Sequence, residues 1–457
     1  MATDADKEAV FGIVPVLKTE KNYGFWDVFL VTGGYAIATW CYTQGAYMAE
    51  GLGFRQLLCS IFGPNLIIIA LISLPAIFAV RYGIDTWVWL RVVFGTAGSR
   101  FACIAFLVMN LPWFAVCANM FAESMIRLLA YFGIELPQVM YPLLSLFCVL
   151  GGLLIALGGP GAIKWVSRIM VTALLAVGVI AIFIIFTAVP VKDIISFAPR
   201  ESLENNAGVY ALMIEASTAF AISWCLALAV IPRLCKSERS GYWATAASYG
   251  LVAPFFVFIG AIMAIAMFMK TGAFSDDPTE IFAVLSGPSM ALLSLIMVAF
   301  ANIGTAGCGT YINSLVLKSS FPKIKFVWLA ILLSAYMGSL ALWGGVTEYF
   351  GAFISYSAFV LAPISGMLIV NLFIVGRQKV SLRSLYNDKD YKGVNPVGIV
   401  CLVLGFLSGA LVYNPATGEI LSPLFYFTTA SGLSFFTGGL TYLIASRIPG
   451  IRRYMYV

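Results

Sequence analysis

The chain alternates long apolar stretches with short polar connections, and twelve stretches approach the roughly 20 residues that a membrane-spanning helix needs. They fall near 25-48, 56-80, 102-130, 138-158, 165-189, 209-232, 242-269, 287-316, 325-343, 347-375, 396-413 and 424-446. The runs at 102-130 and 287-316 exceed one bilayer and must tilt or project. The linker at 377-395 separates ten segments from a final pair. Ten segments divide into five plus five, and an odd number of crossings per half gives the two halves opposite orientation. The pattern therefore predicts an all-α polytopic membrane protein of twelve transmembrane helices, with a 5+5 inverted-repeat core plus two C-terminal helices. Its parts are a cytosolic N-terminal tail (1-24), a first five-helix repeat (25-190), a second (209-376), a cytosolic linker (377-395), helices eleven and twelve (396-446) and a cytosolic C-terminal tail (447-457). No sequence repeat marks the halves. Topology alone pairs segment six with segment one, and segment eight with segment three.

Segment one carries Thr32, Gly33 and Gly34 near its middle. Two adjacent glycines cost roughly 1 kcal/mol each inside a helix, and unwound backbone at membrane depth survives only where protein or a wet cavity covers it. A helix interrupted there would bring half-helix ends and freed carbonyls to the midplane, where they can hold a cation or a substrate. The same glycines would also let another helix pack closely. Segment six is unusually polar from Glu215 to Trp224 but has no Gly or Pro, so a break there is the weaker of the two expectations.

Hydrophobic residues make up 61% of the 457 positions and charged residues 11%, which excludes an ordinary soluble protein. The formal charge of +6 is carried singly between apolar runs and forms no stripe for nucleic acid. An N-terminus inside puts about 22 of the 27 Lys and Arg on the cytoplasmic side, Arg81, Arg91, Lys236 and Arg377 among them. The outer loops are acidic, with Asp193, Glu201, Glu204, Asp276, Asp277 and Glu280. A multi-pass protein of the inner or plasma membrane, with both termini cytoplasmic, is expected. The nine cysteines form no C-x-x-C pair and no metal-ligand spacing, and histidine is absent. No nucleotide-binding loop, zinc motif or nucleophile-base arrangement supports ATP-driven transport or an enzyme. No cofactor is expected beyond a coupling ion, and no protein partner is implied.

Candidate chemistry lies in segments eight, three and six. Asn302 and Thr305 share one face of segment eight, beside three glycines, and form the hard oxygen cluster that a sodium ion needs or a polar packing face. Trp113 and Cys117 share a face of segment three, deep in the membrane, and a ring opposite Phe220 or Trp224 would make a slot for a flat aromatic ligand. Trp26, Trp87, Trp89 and Trp343 are expected at the interfaces. Glu215 and Glu123 are the carboxylates to weigh as proton carriers, and Glu123 has Arg127 four residues on, the spacing of a structural helix pair.

The order and spacing of several short elements resemble the nucleobase:cation symporter-1 group, which includes cytosine permeases and a bacterial hydantoin transporter. Leu90 to Ser99 resembles the R-x-x-F-G-x-x-G cytoplasmic loop after the second helix, and Trp113 to Ala122 the third helix of cytosine permeases. Pro232-Arg233 falls where the sixth helix ends in a basic residue, and Ala362 to Gly366 resembles the tenth-helix Pro-x-x-Gly. The resemblance implies the fold of the sodium-coupled amino-acid transporters, with substrate held between helices one, three, six and eight. Carried over by position, a sodium site would use carbonyls of Gly34 and Ile37 with Asn302 and the Thr305 hydroxyl. The aromatic sandwich would fall on Trp113 and on Phe220 or Trp224, with Cys117, Tyr35 and Thr39 nearby. Ala306 stands where a second hydroxyl is expected, which raises the case for proton coupling, and Asn371 where relatives can carry an acid. The expected activity is cation-coupled import of a small planar nitrogen heterocycle, such as cytosine or a purine. A same-fold transporter of amino acids or amines, and a channel or transport-inactive receptor, are the alternatives.

Overall fold

The computed structural model describes residues 15–199, 206–286, 288–386, 390–391 and 393–455, and only the backbone of Tyr35, Thr279 and Pro288. Glu201, Glu204 and most of the N-terminal tail lie outside the described residues. All twelve predicted segments fall on helices, and among the described residues eight helices are long and apolar enough to cross a membrane unaided. The other four are interrupted or short. Segment one is Phe25–Ala36 followed by Thr39–Gly51, and segment six is helical only over Asn206–Ile222. Segment eleven is Pro396–Ala410, and segment twelve is Ala430–Arg447 after a left-handed Thr429 (φ 55°).

Segment three differs from the expectation. Helix runs from Thr86 to Tyr131, so the stretch Leu90 to Ser99, read as a loop, is helical apart from Gly95 (φ 77°, ψ 173°). Only glycine adopts that backbone without strain, and it turns a short helix into the spanning helix. Asp85 starts the element by accepting from the Trp87 amide at 3.0 Å. Between segments eleven and twelve a two-strand hairpin pairs Tyr413 with Ile420 and Asn414 with Glu419.

The interior is apolar packing at close range. A Cβ on Gly45 of segment one would collide with the backbone of Val257, and one on Gly260 with that of Tyr42, so segments one and seven touch main chain to main chain. Gly309 of segment eight likewise has no room for a Cβ against the Phe114 ring of segment three. Small residues at such contacts are how membrane helices gain van der Waals attraction, since lipid tails supply no hydrophobic drive between helices.

Two of the tryptophans expected at the interfaces, Trp26 (69% exposed) and Trp343 (66%), are exposed at helix ends. Trp87 and Trp89 are instead buried on the short helix before Gly95, with their rings against Phe106 and Phe78 respectively.

Candidate functional site

Segment one breaks three residues later than the glycines suggest. Gly33 and Gly34 stay helical, and the chain becomes extended at Ile37 (φ −96°, ψ 115°) and Ala38 (φ −154°, ψ −179°). The helical ladder closes with the Ile37 amide donating to the Gly33 carbonyl at 2.9 Å. The glycine at 34 serves close approach: a Cβ there would stand 3.1 Å from Val171 and 3.3 Å from Met170 of segment five (Gly159–Ala188). Thr32 is also held in place, donating to the Val28 carbonyl at 2.6 Å and sharing a hydrogen bond with Ser248 of segment seven. The expectation of an interrupted helix holds, with its position corrected to Ile37-Ala38.

Segment six is broken as well. Its α-helix ends at Ile222, and beyond it the amides of Cys225, Ala227 and Val230 each bond three residues back, to Ile222, Trp224 and Ala227. Each break is followed at once by a tryptophan, and the two meet: Trp40 and Trp224 have ring centroids 5.5 Å apart. Trp113 joins them at 5.6 and 5.2 Å, and Phe220 meets Trp113 edge-on at 5.6 Å. Phe350 and Phe353 from the start of segment ten complete the cluster against Trp113 at 5.3 and 5.5 Å. Both Phe220 and Trp224 therefore touch Trp113. The slot foreseen between them is closed by the rings themselves, and Trp40, Phe350 and Phe353 were missed. A tryptophan this deep in the interrupted segment one, at Trp40, was the available signal; nothing local marked the two phenylalanines.

Polar groups gather on the segment-eight side. The Thr39 hydroxyl donates to the side-chain oxygen of Asn302 at 2.7 Å, and the Cys117 thiol lies within hydrogen-bonding reach of the same hydroxyl. All three residues are fully buried. The Asn302 amide nitrogen and the Trp113 indole N–H are buried donors with no partner among the described residues. Thr305 sits one turn from Asn302 and donates to the sulfur of Met170 at 3.4 Å, the same methionine that packs on Gly34. Of the four residues carried over to a sodium site, Gly34 and Thr305 thus meet across Met170, Ile37 forms the break, and Asn302 is turned toward Thr39. Ala306 faces segment four, where its Cβ would stand 2.9 Å from one built on Gly152. The Tyr35 side chain lies outside what is described.

Residues 15–438 match the family of permeases for cytosine and purines, uracil, thiamine and allantoin. The chain belongs to that family. This permease is 24% identical over 439 residues to a hydantoin permease of Microbacterium maritypicum, an alignment covering 90% of this chain and 86% of the relative. It is 21% identical over 466 residues to a purine-uracil permease of Arabidopsis thaliana, covering 95% and 77%. Its structure resembles that of a nucleobase-cation-symport-1 transporter in a closed conformation with bromovinylhydantoin bound, with a TM-score of 0.77, 18% identity and 98% and 99% of the two chains covered. A Na+-coupled sialic acid symporter is also similar, with a TM-score of 0.65, 14% identity and 96% of each chain covered. These likenesses fix the fold.

The permease's membrane carboxylates have partners that sequence spacing did not reveal. Glu215 is buried and accepts from the backbone amide of Ser431 at 3.0 Å and from its hydroxyl, at the first turn of segment twelve. A carboxylate at a helix N-terminus meets free amides and the positive end of the dipole. Arg127 does not pair with Glu123; it pairs with Asp277 at 2.7 Å and Glu280 at 3.8 Å, while Glu123 accepts from the Tyr141 hydroxyl at 3.4 Å. Long-range partners outcompete the i, i+4 pair because the loop carrying Asp277 and Glu280 folds over this end. Asn371 donates to the Tyr442 hydroxyl at 2.9 Å.

At the permease's basic end, the chain before segment one is zipped to the loop after segment six. Tyr23 donates its amide to Leu234 and accepts from Lys236 through its carbonyl, at 3.1 and 3.0 Å. Beneath this strand, Arg233 and Asp85 form a buried ion pair at 3.4 Å.

Proposed function

We propose that this permease imports a small planar nitrogen heterocycle, a nucleobase such as cytosine or a purine or a related ring, by cation symport with alternating access. The observation that carries it is the pair of buried, unpartnered donors, Trp113 Nε1 and Asn302 Nδ2, beside a nest of aromatic rings at two helix breaks. Leaving a buried N–H unsatisfied costs about 1–3 kcal/mol. A ring bearing carbonyl or ring-nitrogen acceptors would satisfy both while stacking on Trp113.

In this mechanism the cation binds between segments one and eight, at the carbonyls of Gly34 and Ile37 and the Thr305 hydroxyl, with Asn302 next to it. The ligand then parts Trp113 from Phe220 and Trp224, with Cys117, Thr39 and Tyr35 around it. A bundle that includes the two broken helices, one from each five-helix half (25-190 and 209-376), rocks against the remaining scaffold to expose the site on the other side. Cation and ligand are coupled because both favour one state, with coupling energies of roughly 1–3 kcal/mol. Sodium suits the hard oxygens; a proton is the alternative, because a thioether occupies the Thr305 hydroxyl and Ala306 offers none. We place the protein in the cell membrane with both termini in the cytoplasm.

An amine substrate would want a carboxylate at the break, and residues 33–39 supply none. Thermal stabilisation of the purified protein by nucleobases, hydantoins and amino acids, each with and without sodium, tests the reading. A sodium-dependent rise in Tm with one flat heterocycle is expected. A response to amino acids alone overturns the substrate class, and a ring response indifferent to sodium transfers coupling to protons.

A further inference from the structure

A second polar feature lies at the basic end, away from the aromatic nest. A cavity of about 410 Å3 is lined by Lys18 and Lys21 of the N-terminal tail, Val80 and Arg81 at the end of segment two, and Lys236 and Glu238 at the start of segment seven. Glu238 is its one acid, and both its oxygens are engaged by Arg81, each at 2.9 Å. Arg81 is further fixed over the Phe78 ring at 5.4 Å. The neighbouring Glu20 accepts from the amide of Leu17 in its own turn. Four cations thus face one neutralised carboxylate, leaving three ammonium groups without a counter-charge among the lining residues.

The field is felt by Lys21. Burial and the charge of Lys18 both pull the Lys21 pKa below its ordinary value, while its ammonium is held by the Val80 carbonyl. An anion in the cavity would relieve that repulsion.

The surroundings select the kind of anion. The cavity lies where the end of segment two meets the start of segment seven, two segments joined by the Tyr242 hydroxyl donating to the Ala70 carbonyl at 3.0 Å. Beyond it both helices present apolar side chains outward: Leu66 and Ile67 on segment two, and Trp243 and Leu251 on segment seven, are 44–65% exposed. Trp243 lies little more than one turn from Glu238, the depth at which indole rings sit at a membrane interface. A basic pocket capped by a lipid-facing apolar stripe matches a molecule with a phosphate at one end and acyl chains at the other.

We propose that this cavity binds the phosphate of an anionic phospholipid from the cytoplasmic leaflet, its acyl chains lying along segments two and seven. Bound there, the phosphate bridges the tail before segment one, the end of segment two and the loop after segment six. It therefore tightens the closure made by Tyr23, Leu234 and Lys236. The site is independent of the identity of the transported substrate.

The test uses the full-length protein purified in a neutral detergent, titrated with phosphatidylglycerol, phosphatidylcholine or inorganic phosphate, and read by Tm and by lipid retention in native mass spectrometry. Phosphatidylglycerol is expected to raise Tm and stay bound. K18Q/K21Q/K236Q should weaken that binding on the order of a hundredfold, at roughly fivefold per lysine near an anionic surface. K323Q/K325Q, removing two exposed lysines of the loop between segments eight and nine, should bind as the unmodified chain does. An equal response to phosphatidylcholine, or lipid binding retained by the triple variant, overturns the proposal. So does an equal loss in K323Q/K325Q, which would mean diffuse attraction. A Tm rise with inorganic phosphate alone, abolished in the triple variant, replaces the lipid with a soluble anion.

Discussion

The Thr39 hydroxyl donates to Asn302 at 2.7 Å, joining residues 263 positions apart across the break in segment one and the middle of segment eight. The bond fixes which way the asparagine faces, with its oxygen engaged and its amide left for something else. Thr39→Val keeps the shape and removes the donor. It should cost about 1–3 kcal/mol by stranding the Asn302 oxygen, seen as a lower Tm, and should weaken ring binding. Unchanged stability would show that the oxygen finds another donor.

Trp113 offers two separable contributions. Trp113→Ala removes the stacking face and should weaken ligand binding by about 1–3 kcal/mol. Trp113→Phe keeps a ring and loses only the indole N–H, so its loss should be nearer 1 kcal/mol. Equal losses in calorimetric titrations would assign everything to the hydrogen bond, and no loss in either well-folded variant would remove Trp113 from the site.

Thr305→Ala should right-shift the cation dependence of uptake without changing the ligand preference, because the hydroxyl reaches Met170, the methionine that packs on Gly34. An identical cation titration would leave Thr305 as packing. Met170→Leu, which frees that hydroxyl from the sulfur, should shift the same curve the opposite way.

Glu215→Gln trades a charge-assisted contact to Ser431 for a neutral one and should lower Tm by a few degrees, while the pH dependence of uptake stays as it was. Flattening of that pH profile would instead make Glu215 the proton carrier and Ser431 its resting partner.

Asp85→Ala removes the ion-pair partner of the buried Arg233 guanidinium, and breaking such a pair costs roughly 3–5 kcal/mol. Cys235, buried beneath the N-terminal strand, should then be alkylated faster, as read by peptide mapping. An unaltered labelling rate would mean that the strand, and not the ion pair, holds this end shut.

Most of the architecture was legible because spanning helices advertise themselves by length and apolarity. The exceptions follow from what single stretches cannot show. Gly33-Gly34 signalled a special position, but whether a glycine breaks a helix or admits a neighbour depends on the neighbour, here Met170 and Val171. Trp113 and Phe220 were legible from depth and ring chemistry, whereas Phe350 and Phe353 reach the nest only because segment ten packs beside segment three. The partners of Glu215 and Arg127 lie 216 and 150 positions away, beyond any helical periodicity.

The contact between Glu215 and Ser431 changes the standing of the last two helices. By topology they look like an appendage to a ten-helix machine. Yet a chain ended in the linker at 377-395 would leave a bare carboxylate inside the hydrocarbon region, in the very helix whose break helps to form the aromatic nest. Shortened forms should therefore fail at insertion or folding before transport is ever tried. A relative lacking the final pair would need a different residue at the position of Glu215.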